Sequence, residues 1–168
     1  MPGTYVKPKA YNRRWWIDIG TDNTAQWAEI ARGITSRGNS ISESKDDYYD
    51  MAGRGVAESE VSGITVQRSF SGFRVMGDEA QDNIIERLYD LEHRAVKFLE
   101  CYDNPAAAGA FKGRQGMATL SITDDGSGDA NKRENIAFAL NIEGTPAKGT
   151  VAIAADGTPT FTADAAEQ

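Results

Sequence analysis

The sequence predicts a mainly β protein, an antiparallel β-sandwich or barrel with one packed α-helix. Three observations carry this. Runs of alternating apolar and polar residues recur along the chain, bounded by clusters of Gly, Asn, Asp and Pro. One stretch alone, GDEAQDNIIERLYDLEHR, spaces its apolar residues as a helix does. A chain of 168 residues, 40% of them apolar, is long enough for one core and too short to expect two.

The domain is expected over 15–163, between an N-terminal arm at 1–14 and a tail at 164–168. The arm holds Pro2, Pro8 and four basic residues and reads as extended. RRWWIDIGTDNTAQWAEIARGI reads as two strands around a turn at Thr21-Asp22-Asn23. Trp15, Ile17 and Ile19 share one face of the first strand, and Ala28, Ile30, Arg32 and Ile34 share one face of the second. A break at Arg37-Gly38-Asn39 leads to a short SISES strand and then to a long irregular loop over 45–60. Rhythm returns in VSGITVQRSFSGFRV, where Ile64, Val66 and Phe70 have one parity and Phe73 and Val75 the other. A bulge at Ser71-Gly72 would reset the face. The helix is expected over 78–94, with Ala80, Ile84, Leu88, Leu91 and Ala95 on one stripe, Asp78 as N-cap and Gln81 completing a capping box.

After the helix, AVKFLECYD reads as a strand and NPAAAGAFKGRQG as a loop. GMATLSITDDGSGD and KRENIAFALNIEG then form a long hairpin with Asp-Gly-Ser-Gly at its tip, and GTVAIA–ADG–TPTFT a last hairpin. This gives eight to ten strands and one helix, with no internal repeat.

Composition excludes several functions. No apolar run is long enough to span a bilayer as a helix, so no membrane partner is expected. The N-terminal residues lack the apolar segment of a secretory signal. The single cysteine, Cys101, cannot form an intramolecular disulfide and suits a reducing cytoplasm. Lys and Arg number 18 against 25 Asp and Glu, a formal charge of −7, with no basic cluster to neutralise phosphates, so tight DNA binding is not expected.

No residue set suggests catalysis. His93, the one histidine, has no nucleophile or orienting partner in sight and reads as a helix-end residue. Cys101 reads as a small core hydrophobe, and one Cys with one His is too little for zinc. Gly53-Arg54-Gly55-Val56-Ala57-Glu58 lacks the third glycine and the strand-to-helix setting of a dinucleotide fingerprint. Asp124-Asp125-Gly126-Ser127-Gly128-Asp129 lacks the acid spacing of a calcium loop and reads as a hairpin tip. No enzyme, cofactor or metal is expected. Attention moves to surfaces: loops as long as 45–60 are usually functional or disordered, and disorder disfavours aromatics. Aromatics and Met are enriched where proteins meet. The candidate intersubunit residues are therefore Tyr48, Tyr49, Met51 and Arg54 in this loop, and Pro105 and Phe111 in the loop over 105–116.

This order of parts resembles the major tail tube proteins of long-tailed (siphovirus-type) bacteriophages. The matching stretches are ENIAFALNIEGTPAKGTVAIA, with Gly144, Thr145, Pro146, Gly149 and Thr150 at a Gly–x–Pro turn and the Gly-Thr that follows, and WAEIARGITS, with Ile30, Gly33, Ile34 and Ser36. Both are similar to patterns in the subset from phages of Gram-positive hosts. The chain ends soon after Phe161, where some family members append an immunoglobulin-like domain. The resemblance implies two packed sheets plus a helix, and six copies in a ring whose sheet edges join into an inner barrel. Rings would stack into a tube around a tape measure protein, meeting tail terminator and baseplate or distal tail proteins at its ends. DNA would pass through the lumen without specific binding. The place implied is the virion tail, after synthesis in the host bacterial cytoplasm. A heterologous contact that does not close propagates as a filament, and open sheet edges become its joints. The acidic balance suits a conduit, because a basic wall would hold passing phosphates. Two other readings share the predicted fold. One is the inner tube of a contractile tail or secretion machine. The other is a monomeric carbohydrate- or protein-binding β-sandwich, with Trp15, Trp16 and Trp27 as a stacking platform.

Overall fold

A computed structural model of the chain describes residues 7–102 and 109–165. Its strands are β1 (Arg14–Asp18), β2 (Trp27–Glu29), β3 (Ile34–Tyr48), β4 (Glu58–Phe73), β5 (Ala95–Cys101), β6 (Gly109–Asp124), β7 (Asn135–Ile153) and β8 (Pro159–Ala163). The helix α1 (Glu79–Glu86) falls between β4 and β5. Every strand pairing is antiparallel, in the order β2-β1-β5-β6-β7-β4-β3, with β8 beside the far end of β7.

The sheet curls. Three strands separate β1 from β4, which on a flat sheet would hold them roughly 19 Å apart. Yet the rings of Trp15 on β1 and Phe70 on β4 meet edge-on at 5.8 Å, and Phe98 and Phe138 stack on them at 5.7 and 5.2 Å. The seam is helped by Arg37 of β3, whose Nη1 donates to the carbonyl of Arg13 at 3.2 Å. The enclosed core takes Trp15 and Ile17, Phe98, Leu120, Ile136, Phe138 and Leu140 from its walls, and Ala80 and Ile84 from the helix at one end. A second cluster, Trp16, Leu99, Cys101, Val151 and Ile153, packs on the opposite face with Phe161 of β8 and Phe111 of β6. Alternation along RWWID thus buries both tryptophans, one in each cluster. A three-tryptophan stacking platform is not built.

Several expectations are corrected. The break after the second strand falls at Gly33, where φ is +77° and a Cβ would lie 2.4 Å from the Phe73 carbonyl oxygen; Arg37-Gly38-Asn39 lies inside β3. The irregularity near Ser71-Gly72 exists, but its extra residue is Thr35 on the partner strand. The loop expected over 45–60 is shorter than that, since β3 and β4 pair out to Tyr48 and Glu58 and leave 49–57 as the turn. The loop expected over 105–116 is strand from Gly109 onward. The Gly–x–Pro stretch is not a turn between strands: β7 runs through it, with 144–146 bulging opposite Gly116.

The helix is shorter than the 78–94 expected. Asp78 caps it, its side chain accepting from the Gln81 amide at 3.0 Å, but the Gln81 side chain does not return to complete the box. Instead its Nε2 donates to the Arg32 carbonyl at 2.7 Å, and its Oε1 accepts from the Val75 amide at 2.8 Å. Gln81 thereby ties together the connections that follow β2 and β4. After Arg87 the chain leaves the helix, and a 3-10 turn at Leu91–His93 leads into β5. The Arg87 side chain donates to the His93 carbonyl, and that of Arg94 to the Leu120 carbonyl, both at 3.0 Å.

Candidate assembly surface

The longest feature without support from the rest of the chain is the hairpin of β3 and β4. β7 pairs with β4 only over Gln67–Phe73. Beyond Gln67 the two strands continue as a free two-stranded ribbon, Ser40 to Tyr48 against Glu58 to Gln67. Such a ribbon is marginal in water unless something packs on it.

Its two faces differ. On one, Ile41 stands opposite Val66 and Glu43 opposite Ile64. A bulge at Ser62 brings Val61, opposite Lys45, onto the same side. This face continues the core-facing side of Phe70 and Arg68. Past the barrel nothing among the described residues covers it, and Ile41, Val61 and Ile64 are 57%, 53% and 64% exposed. The other face is small and polar: Ser40, Ser42 and Ser44 oppose Gln67, Thr65 and Gly63. Toward the tip it becomes acidic, with Asp46 directly opposite Glu60 and Tyr48 opposite Glu58. The Tyr48 hydroxyl donates to Glu58 at 2.7 Å, which raises the Tyr48 pKa, and Ser59 donates to Asp47.

The turn is held from within, the Asp50 carboxylate accepting from the Gly53 amide at 2.6 Å, with Arg54 at φ +50° and Gly55 at +84°. Tyr49, Met51 and Val56 stand exposed there. Tyr48, Tyr49, Met51 and Arg54 therefore gather at one projecting tip. Phe111 does not join them, since it packs beside Trp16 and Val151 on the body. Pro105 lies outside the described residues.

The small polar face extends across four strands of the body in cross-strand rows: Thr119–Asn141–Gln67–Ser40, Ser121–Ala139–Ser69–Gly38 and Asp124–Ala137–Ser71–Ser36. Gln67 Nε2 donates to Asn141 Oδ1 at 2.7 Å, and Asn141 Nδ2 donates to Ser121 Oγ at 2.9 Å. These rows contain no Lys, no Arg and no large apolar side chain, and their one charged residue is Asp124 at the outer end of the third, a pattern that makes neither a core nor a sticky patch.

The remaining sequence candidates take structural places. Cys101 is buried in the second cluster. His93 Nδ1 lies 2.7 Å from Asp90 on the surface. Asp124 accepts from the Ser127 side chain, and from the amides of Ser127 at 2.9 Å and Gly126 at 3.2 Å. These bonds, led by the Ser127 hydroxyl, lower its pKa and organise the loop between β6 and β7. Among the described residues no cluster of three or more His, Cys, Asp or Glu is placed to hold a metal ion, and no helix is long and apolar enough to cross a membrane.

No protein-family model and no curated protein matches the chain. Solved structures do. The tail of an empty gene transfer agent particle, refined with C6 symmetry, is similar over 94% of this chain and 100% of that one, with TM-score 0.61 at 17% identity. The SPP1 tail tube is similar over 83% of this chain and 77% of its own, with TM-score 0.59 at 14% identity. The sheath–tube complex of an extracellular contractile injection system includes a chain similar over 89% of this one and 94% of its own, with TM-score 0.56 at 15% identity. A mainly antiparallel β fold with one helix is thus what this chain shares with components of tails and injection tubes.

Proposed function

We propose that this chain is a structural tail tube protein, a homo-oligomer whose hexameric rings stack into the hollow tube through which DNA leaves a bacteriophage-like particle. The observation that carries the reading is the free ribbon: an apolar stripe continuous with the core and covered by nothing among the described residues of its own chain. A second copy is the natural cover, because joining the ribbon of one copy to the body of the next is a heterologous contact, which builds a ring where the rotation closes and a filament where it does not. Tyr48, Tyr49, Met51 and Arg54 at the tip are the residues we assign to that contact. Likeness to a C6-symmetric tail supports six copies per ring.

The small polar rows on the outer face of β6, β7, β4 and β3, with Asp124 their one charged residue, suit the lumen. Hydroxyl and amide groups keep such a wall wetted, while the lack of Lys and Arg leaves nothing to hold phosphates as DNA passes. The acidic balance of the chain then belongs to other surfaces. A tape measure protein within the tube, and terminator and baseplate proteins at its ends, follow from the same reading. So do location in the virion tail after synthesis in the host cytoplasm, and a non-catalytic role. A place among tubes of Gram-positive-host siphoviruses rests on the short stretches around Ile30–Ser36 and Gly144–Thr150.

A second reading, the inner tube of a contractile machine, is favoured by the likeness to the sheath–tube complex. The two differ in whether a sheath protein wraps the assembled tube. Negative-stain microscopy of the purified protein over rising concentration tests the shared core. Stacked rings with a central channel are expected, and deletion of 46–56 should leave rings without long tubes. A monomer at every concentration refutes both readings.

A further inference from the structure

In this acidic chain, cationic side chains converge on one place. Glu100 of β5 is 2% exposed, and Arg13 Nε lies 2.6 Å from its Oε1, a close charge contact in which the N–H is not aligned as a hydrogen bond. Arg114 sits directly across the ladder from Glu100. Arg68, only 8% exposed, lies over Trp15 at 6.0 Å. Burial lowers the Arg68 pKa, Glu100 opposes the shift, and Arg13 and Arg114 add to it. Among the described residues, neither Arg68, Arg114 nor Lys148 has a carboxylate within ion-pair distance. One buried carboxylate thus faces several cations. Arg68, Arg114 and Lys148 line a cavity of about 240 Å³, with Trp15 and Phe98 in its lining and the apolar Ile64 and Val66 at one side.

The ribbon carries the complement. Between Glu43 and Glu60 it holds six carboxylates against Lys45 and Arg54. Asp46 and Glu60 face each other across the strands, and like charges directly opposite destabilise a pair. Among the described residues neither has a hydrogen bond or ion pair from its side chain.

We infer that the cavity lined by Arg68, Arg114 and Lys148 is the receptor for the ribbon of a neighbouring copy, taking the Asp46–Glu60 carboxylate pair with Tyr48 beside it. The ribbon cannot serve its own cavity. Ile64 and Val66 at its root line that cavity, and Glu60 lies four residues of strand beyond Ile64, roughly 13 Å away. Tip-to-root contact is therefore between copies and directional, as the proposed tube requires, and the inference rests on that reading.

Charge reversal tests it. Asp46→Lys would place a lysine opposite Glu60, so the isolated subunit should melt no lower than the parent. The concentration for half-assembly should nevertheless rise at least about tenfold. Lys148→Glu, at an exposed position, and Arg114→Glu should do the same. Combining Asp46→Lys with Lys148→Glu should return assembly to within about threefold of the parent. If the parent assembles and the single reversals leave half-assembly unchanged, or the combination fails to restore it, the receptor assignment is wrong while the tube reading stands. A parent that does not assemble overturns both.

Discussion

Replacing Ile41, Val61 and Ile64 with threonine separates the two states of the ribbon. Threonine keeps the β-branch that suits a strand, so pairing of β3 with β4 is retained. In the single subunit each side chain is already more than half in water, and such surface changes stay within about 0.5 kcal/mol each. In the assembly the remaining surface is covered. Complete burial of a Val or Ile side chain contributes about 1.5–3 kcal/mol relative to exposure. With a little over half of each still open, covering them contributes about 1 kcal/mol per site. Three sites give about 3 kcal/mol per copy, roughly a hundredfold in the concentration at half-assembly. Sedimentation velocity across a dilution series reads that concentration, and calorimetry of the dilute subunit supplies the control. Unchanged assembly would place the stripe outside the contact. A collapsed subunit melt would mean the stripe is packed within its own chain.

Other expectations follow from the body. Gly72→Ala would set a Cβ 2.0 Å from the Gly33 carbonyl oxygen, backbone against backbone, and should cost about 3 kcal/mol, read as a melting temperature lower by about 6–12 °C. Glu100→Gln removes the buried counter-charge of Arg13 and should destabilise the subunit by about 3 kcal/mol in denaturant titration. Tyr48 should ionise above the ordinary value of about 10, because its neutral hydroxyl donates to Glu58. That bond holds below the ordinary value and is lost as pH rises through the higher one. The difference in phenolate absorbance between the parent and Tyr48→Phe should therefore appear late in an alkaline titration.

Much of the body was legible because it obeys simple rhythms. Trp15, Ile17 and Ile19 alternate as a half-buried strand must, and Ile136, Phe138 and Leu140 do the same on β7. Asp78 announces the helix start, and Asp156-Gly157 marks the last turn, where Asp156 accepts from the Thr158 amide. The ribbon was hidden for a physical reason. Its strands are built from Ser, Asp, Glu and Lys, poor strand formers, and the bulge at Ser62 breaks the period that would align Val61 with Ile64. The segment from Gly109 to Gly116 looked like a loop because glycine recurs in it at 109, 113 and 116. Gly113 is small because a Cβ there would lie 2.4 Å from both the Glu100 carbonyl oxygen and Val151.

The helix stripe misled in the opposite way: Leu91 and Ala95 keep helical spacing, yet the chain has left the helix by Arg87. The tip residues Tyr48, Tyr49, Met51 and Arg54 could be singled out by type, since aromatics and Met in an acidic excursion ask for a partner. The cations could not. Arg13, Arg68, Arg114 and Lys148 are far apart in sequence: strand pairing sets Arg114 beside Glu100 and Lys148 beside Arg114, and the curling of the sheet brings Arg68 of β4 to the same cavity.

Hydrogen exchange of the ribbon amides, 40–48 and 58–66, in dilute subunit and in concentrated assembly tests the central claim most directly. A free two-stranded ribbon opens easily, whereas one buried between copies does not. Exchange slowed at least about tenfold in the assembly at these residues, with the β5–β7 core little changed, is the expected result. Equal exchange in the two states would show that the ribbon is not what joins one copy to the next.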